Sequence, residues 1–200
     1  MGLEGGFELK IERIFETSLG SLETHTCGYY RKAWKYALKI TQNLENLPVI
    51  DPFARECPWA DYRNDANPLF LEMKKTTHNM DALDFLRWAK VNLGPRSCRI
   101  ILLDPPFSDR QNQRYINEKD SFKGHPNLYA LPGYMGKIGM DIRDLLAPGG
   151  VCVKLGYNTN APYPGLNLEM VWCVAFGGNR NDVLVSIWKR QNDSLERWIE

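Results

Sequence analysis

Two hundred residues, 44% of them hydrophobic, are enough for one domain that buries its own core. With 25 Lys and Arg against 24 Asp and Glu, the formal charge of +1 excludes a broadly basic nucleic-acid binder and leaves any such contact to local patches. The five cysteines are scattered and never form Cys-x-x-Cys, which argues against a disulfide framework or a zinc site and suits a reducing cytosol.

No apolar run approaches the ~18 residues of a membrane span. The opening MGLEGGFELK carries a glutamate where a signal peptide would be apolar, and Gly6 where a myristoylation signal needs Ser or Thr. A cytoplasmic protein with no membrane partner is the expectation. Without repeats or low-complexity tracts, the chain reads as one domain, with residues 1–47 an extension and helix packed on a body of 48–200.

FELKIERIF alternates apolar and polar residues and reads as an edge strand. In THTCGYYRKAWKYALKITQNL, Tyr30, Trp34, Ala37 and Leu38 recur at three- and four-residue spacings, the pattern of an amphipathic helix. LPVIDPFA is a buried strand that stops at Asp-Pro, and ADYRNDANP a second strand that stops at Asn-Asp and a proline. PLFLEMKKT and DALDFLRWAKVNL are helical by period, with Asp81 placed to cap the second; TTHNM between them is a weaker strand candidate. RIILLD is the strongest strand. YMGKIGMDIRDLLAPGG reads as a helix halted by Pro-Gly-Gly, and VCVKLGYN as the strand after it. LEMVWCVAFGGNRNDVLVSIWKRQ reads as two strands around GGNRND, a hairpin signal. Alternation of this kind predicts an α/β fold with a mostly parallel sheet, helices on both faces and one antiparallel strand.

In such sheets ligands sit outside the carboxyl ends of the strands. Asp51, Asp65 and Asp104 each finish a predicted strand, and Asp81 follows the weaker candidate. Any one of them alone reads as a helix cap. Four carboxylates on one rim point to a site for a ligand rich in hydroxyls and amines.

Taken in order, these segments resemble the S-adenosylmethionine-dependent methyltransferases that modify exocyclic amino groups of DNA bases. VIDPFA is similar to the family's first motif, which implies cofactor contacts from Asp51, Pro52, Phe53 and Ala54. NDANP is similar to the acidic end of the second strand, which would give Asp65 the ribose hydroxyls. NMDALDFL resembles the third motif and implies that Asp81 and Ala82 meet the adenine, with Asp84 turned to solvent. DPPF matches the catalytic signature and implies catalytic roles for Asp104, Pro105, Pro106 and Phe107. LLAPGGVCVKLG looks like the turn into the fifth strand. The match spans roughly residues 48 to 190 and most resembles the small adenine methylases that bacteriophages encode, active in the host cytoplasm. It implies a Rossmann-like class I methyltransferase fold: a seven-stranded, mostly parallel sheet with a C-terminal antiparallel hairpin strand. S-adenosyl-L-methionine is the implied cofactor, DNA the implied partner and the N6 amine of adenine the implied acceptor. N4 of cytosine, RNA, a protein amide, or binding without catalysis are the alternatives.

One departure stands out. The family's first motif continues with glycines, whereas this chain reads DPFARECPWAD, with Arg55, Cys57 and Pro58. Losing the permissive residue raises the cost of a tight turn against a ligand.

The chemistry accounts for the residue types. A carboxylate and a carbonyl that accept hydrogen bonds from an aromatic amine localise its lone pair for attack, the roles implied for Asp104 and Pro105. Phe107 would stack on a base swung out of the duplex, worth about 1–3 kcal/mol. Ser108 to Tyr134 mixes Arg110, Arg114, Lys119 and Lys123 with Tyr115, Phe122 and Tyr129, as a substrate-binding loop would, though Asp109, Glu118 and Asp120 dilute its charge. Apart from 108–134 there is no room for a target-recognition domain, so relaxed specificity, or recognition through a partner subunit or homodimer, is expected. His25, His78 and His125 show no metal-ligand spacing.

Overall fold

The computed structural model describes residues 10–16, 28–105, 133–156, 158–176 and 183–191. Its strands are β1 (Lys10–Glu16), β2 (Val49–Asp51), β3 (Tyr62–Arg63), β4 (Cys98–Leu103), β5 (Leu146–Gly156), β6 (Leu166–Phe176) and β7 (Val183–Arg190). The helices are α1 (Gly28–Ile40), α2 (Pro68–Glu72), α3 (Ala82–Asn92) and α4 (Tyr134–Leu145), with a 3-10 turn at Gln42–Leu44.

All seven strands form one sheet in the order β1-β6-β7-β5-β4-β2-β3. Every ladder is parallel except the two made by β7, with β5 and with β6. The C-terminal pair is therefore the expected antiparallel one, although its turn, GGNRND, lies outside the described residues. Central β4 is apolar almost throughout because both of its faces are covered. Alternate residues go to opposite layers. Val49, Ile100, Leu102, Val151 and Val153 meet α1 through Ala33 and Ala37. Ile50, Ile101, Leu103 and Cys152 meet α3 and α4 through Phe85, Leu86, Ile138 and Ile142. Trp34 of α1 stacks on Trp59 with centroids 5.5 Å apart, which fastens the helix to the β2–β3 connection.

Three expectations need correction. Six strands follow the expected layout, but TTHNM contributes only an isolated parallel bridge between Asn64 and His78. The N–H groups of Thr77 and His78 both donate to the Arg63 carbonyl, at 2.8 and 2.9 Å, so the segment closes a turn where a ladder was expected. The seventh strand is β1, the edge strand expected from FELKIERIF, beside β6. Second, α4 ends at Leu145, and Ala147-Pro148-Gly149-Gly150 belongs to β5, not to a helix stop. The β4–β5 register slips there between Cys98 and Ile100. Gly149 has φ 79, and a Cβ on Gly150 would lie 3.0 Å from the carbonyl oxygens of Cys98 and Arg99. Glycines are required because the bulge presses on β4. Third, α2 stops at Glu72, short of the nine-residue helix read from PLFLEMKKT, and Lys74 at φ 57 turns the chain away.

Among the described residues no helix is long and apolar enough to cross a membrane. Among the described residues, Cys57, Cys98, Cys152 and Cys173 form no disulfide. Burial pushes Cys98 up to about 11 and Cys152 up to about 12, so neither is a nucleophile at neutral pH.

Candidate active site

The sheet reverses direction of growth at β2. From β2 the chain moves outward to β3, then crosses back to lay β4 on the other side. A switch point of this kind opens a crevice at the carboxyl ends of the two strands. Those ends carry Asp51 and Asp104. Asp51 follows Val49 in the pleat and Asp104 follows Leu102, so both carboxylates leave the sheet on the α1 side.

Both acids are buried, Asp51 at 2% exposure and Asp104 at 9%. Burial raises Asp51 well above the usual carboxylate range; the Phe53 N–H, 3.0 Å from Oδ1, opposes that rise, while Asp104 and Asp65 add to it. Burial likewise pushes Asp104 up to about 6, with the Arg55 charge opposing. Carboxylates held out of water at the mouth of a crevice are strong acceptors for donors that enter it.

The turn after β2 lies across the end of β3. Ala54 N–H donates to the Asn64 carbonyl at 2.8 Å, and Arg55 N–H to Asp65 Oδ2 at 3.3 Å. Arg55 has φ 47, so an arginine occupies the left-handed conformation at the place where glycines were expected. Fully buried Asn64 clamps the turn: its Nδ2 donates to the carbonyls of Pro52 and Met80 at 3.1 and 3.0 Å, and its Oδ1 accepts from Met80 N–H at 3.0 Å. One amide thus joins the first motif, the end of β3 and the entry to α3.

Asp51, Asp65 and Asp104 come together, with Pro52, Ala54 and Pro105 buried beside them and Phe53 packed toward the α3 layer. Asp65 spends both oxygens on the chain, Oδ1 accepting from Asn67 N–H at 2.8 Å and Oδ2 from Arg55. Asp81 is the N-cap of α3: its Oδ1 accepts from Leu83 N–H at 2.9 Å and from the Tyr134 hydroxyl at 2.6 Å. Ala82 is buried at the start of the helix, and Asp84 is exposed beside Arg87. Pro106, Phe107 and residues 108–132 lie outside the described residues. Sequence reasoning did not single out Asn64, Tyr134 or, as a charged group, Arg55. The one visible signal was the break in the glycine pattern at Arg55.

No protein-family model and no curated protein matches the chain. Similar solved structures include yhhF of Escherichia coli, described as a candidate methyltransferase, at 13% identity, covering 84% of this chain and 87% of that one with a TM-score of 0.45. The N-methyltransferase NodS of Bradyrhizobium japonicum aligns at 12% identity over 84% of this chain and 99% of its own, with a TM-score of 0.45. PH0851 aligns at 11% identity over 77% of this chain and 45% of its own, with a TM-score of 0.43. At these scores the functional reading rests on the site itself.

Proposed function

We propose that the chain is an S-adenosyl-L-methionine-dependent methyltransferase acting on the exocyclic N6 amine of adenine in DNA. The carrying observation is the pair of buried carboxylates, Asp51 and Asp104, side by side at the switch point, the second opening the sequence Asp-Pro-Pro-Phe. An acidic rim suits a cofactor that carries a sulfonium, an ammonium and ribose hydroxyls. Asp51 and the Pro52–Ala54 turn would hold its amino-acid part, Asp65 its ribose, and Asp81 with Ala82 its adenine. The bound cofactor supplies an electrophilic methyl group.

This chain's own residues prepare the nucleophile. The Asp104 carboxylate and the Pro105 carbonyl accept hydrogen bonds from the amine and draw its lone pair out of the ring. Once the methyl has transferred, the surplus proton leaves toward Asp104, whose value near 6 lets it take and release a proton. Alignment of donor and amine is worth about 7–11 kcal/mol, the larger part of the acceleration. Pro106 and Phe107 would complete the base pocket, and residues 108–134 would grip the strand, with a second subunit assisting target choice. The intact Asp-Pro-Pro-Phe favours an enzyme over a relic, where the glycine-free first motif alone would not.

Calorimetric titration with S-adenosylhomocysteine tests the cofactor; absence of binding at millimolar ligand would end the proposal. Labelled cofactor offered separately to DNA, RNA and protein, followed by nucleoside analysis, tests the acceptor, with label in N6-methyladenine expected. Asp104→Ala should abolish turnover while leaving cofactor binding within a few-fold of the parent.

A further inference from the structure

Most of the proposed cofactor contacts lie in two stretches of chain: Asp51 to Ala54 at the end of β2, and Asp81 with Ala82 at the entry to α3. Asn64, just past β3, is bonded to both. Its main chain serves the first, with its N–H donating to the Asp51 carbonyl at 2.9 Å and its carbonyl accepting from Ala54 N–H at 2.8 Å. Its side chain serves the two together. One Nδ2 proton goes to the Pro52 carbonyl at 3.1 Å and the other to the Met80 carbonyl at 3.0 Å, while Oδ1 accepts from Met80 N–H at 3.0 Å. Met80 immediately precedes Asp81. The amide therefore pairs with both backbone groups of Met80, as a neighbouring strand would, and keeps a proton for Pro52. Turning it over would set its oxygen against two carbonyls, so its orientation is fixed. The residue is wholly withdrawn from water, and solvent cannot replace any of these bonds without opening the fold.

We propose that Asn64 is a positioning residue for the cofactor: it holds the turn that takes the amino-acid end at a set distance from the cap that takes the adenine. Such a cofactor is a two-headed ligand. Two heads on one linker bind more tightly than either alone only where their sites stand at the span of that linker. Asparagine offers two donors and an acceptor on a short stem; aspartate lacks the donors, and alanine lacks all three.

The other bonds between these segments pass through half-buried Asp65. Arg55 N–H donates to its Oδ2 at 3.3 Å, and its own N–H donates to the His78 carbonyl at 3.4 Å, both longer than the bonds of Asn64. Asn79 Nδ2 donates to the Asp65 carbonyl at 2.8 Å, which fastens the lead into α3 to the end of β3 and does not reach the β2 turn.

The inference rests on the proposed cofactor site, and its test is a ratio of two affinities. S-adenosylhomocysteine carries both heads, and adenosine lacks the amino-acid head. Both are titrated calorimetrically into the parent, Asn64→Ala, Asn64→Asp and Gly139→Ala, the last a variant strained through α4 and the Pro162 carbonyl. The preference for S-adenosylhomocysteine over adenosine should fall about tenfold or more in both Asn64 variants and stay parental in Gly139→Ala. Lost stability alone weakens the two ligands alike. A parental ratio in a folded Asn64 variant, or an equal fall in Gly139→Ala, would overturn the inference. If neither Asn64 variant folds, amide hydrogen exchange in the parent decides. Adenosine alone should then slow Ala54 and Met80 by the same factor, and protection confined to Met80 would overturn the inference. Failure of S-adenosylhomocysteine to bind the parent is a different result, which removes the cofactor reading and this inference with it.

Discussion

The hydroxyl of Tyr134 donates to Asp81 Oδ1 at 2.6 Å, tying the first residue of α4 to the cap of α3. Burial and the Asp81 carboxylate both raise the tyrosine far above its ordinary value, so it stays protonated and remains a donor at any working pH. Because Tyr134 is the last residue of the proposed substrate loop, this bond ties the end of that loop to the proposed adenine contact. Tyr134→Phe should lower stability by about 1 kcal/mol and weaken S-adenosylhomocysteine binding a few-fold. Thermal melts and calorimetry read the two effects separately.

Stability and turnover should respond to pH in opposite directions. A folded Asp104 with a value near 6 holds its proton more tightly than an unfolded one near 3.8, so the folded state loses stability as pH rises between those values. Asp51 is raised as well and works in the same sense. Asp104→Asn should therefore stabilise the protein at pH 7 by up to about 3 kcal/mol and flatten its profile from pH 4 to 7. Urea midpoints at pH 5 and 7 check this. Turnover of the parent needs Asp104 ionised and should fall as pH drops through about 6.

Asn64 contributes through geometry more than charge. Asn64→Ala strands two carbonyls and one N–H in a buried place, at a cost of about 3 kcal/mol. Asn64→Asp keeps the shape but turns an oxygen toward the carbonyls of Pro52 and Met80, and should be nearly as damaging at neutral pH. Chemical denaturation of both variants measures this; a parental midpoint for either would show that the clamp is dispensable.

Gly139 lies on the face of α4 where the β5–β6 connection crosses, and an added Cβ would collide with the carbonyl oxygen of Pro162. Gly139→Ala should cost about 1–3 kcal/mol despite the better helix propensity of alanine. Gly136, on the same helix with open space around it, is the control and should gain stability when changed to alanine.

The strand ends that matter were readable because burial and termination coincide in them. RIILLD and LPVIDPFA are apolar runs cut off by an acid and a proline, and both are strands whose last carboxylate enters the crevice. Asp81 was readable as a cap for the reason caps are: it precedes the first buried position of a periodic helix. Arg55 and Asn64 were not readable as site residues. Their contributions depend on a left-handed backbone and on bonds to Pro52 and Met80, neither of which a residue type announces. TTHNM misled because β-branched residues favour strands, and a turn onto Arg63 overrode that preference. Ala-Pro-Gly-Gly misled because the same residues serve a helix stop and a bulge.

The place of β1 sets the order in which the sheet can be completed. Lys10 pairs with Met170 and Glu16 with Phe176, so the earliest described strand to be synthesised waits for partners almost at the other end of the chain. Until β1 docks, β6 lacks a partner along its outer edge from Met170 to Phe176, Val171, Trp172 and Val174 among them, and offers that edge as an open template for other chains. Closing that edge is a late, long-range event of the slow kind. A chain trimmed of Lys10–Glu16 would leave that edge uncovered, which makes this strand a guard against self-association as much as a part of the fold.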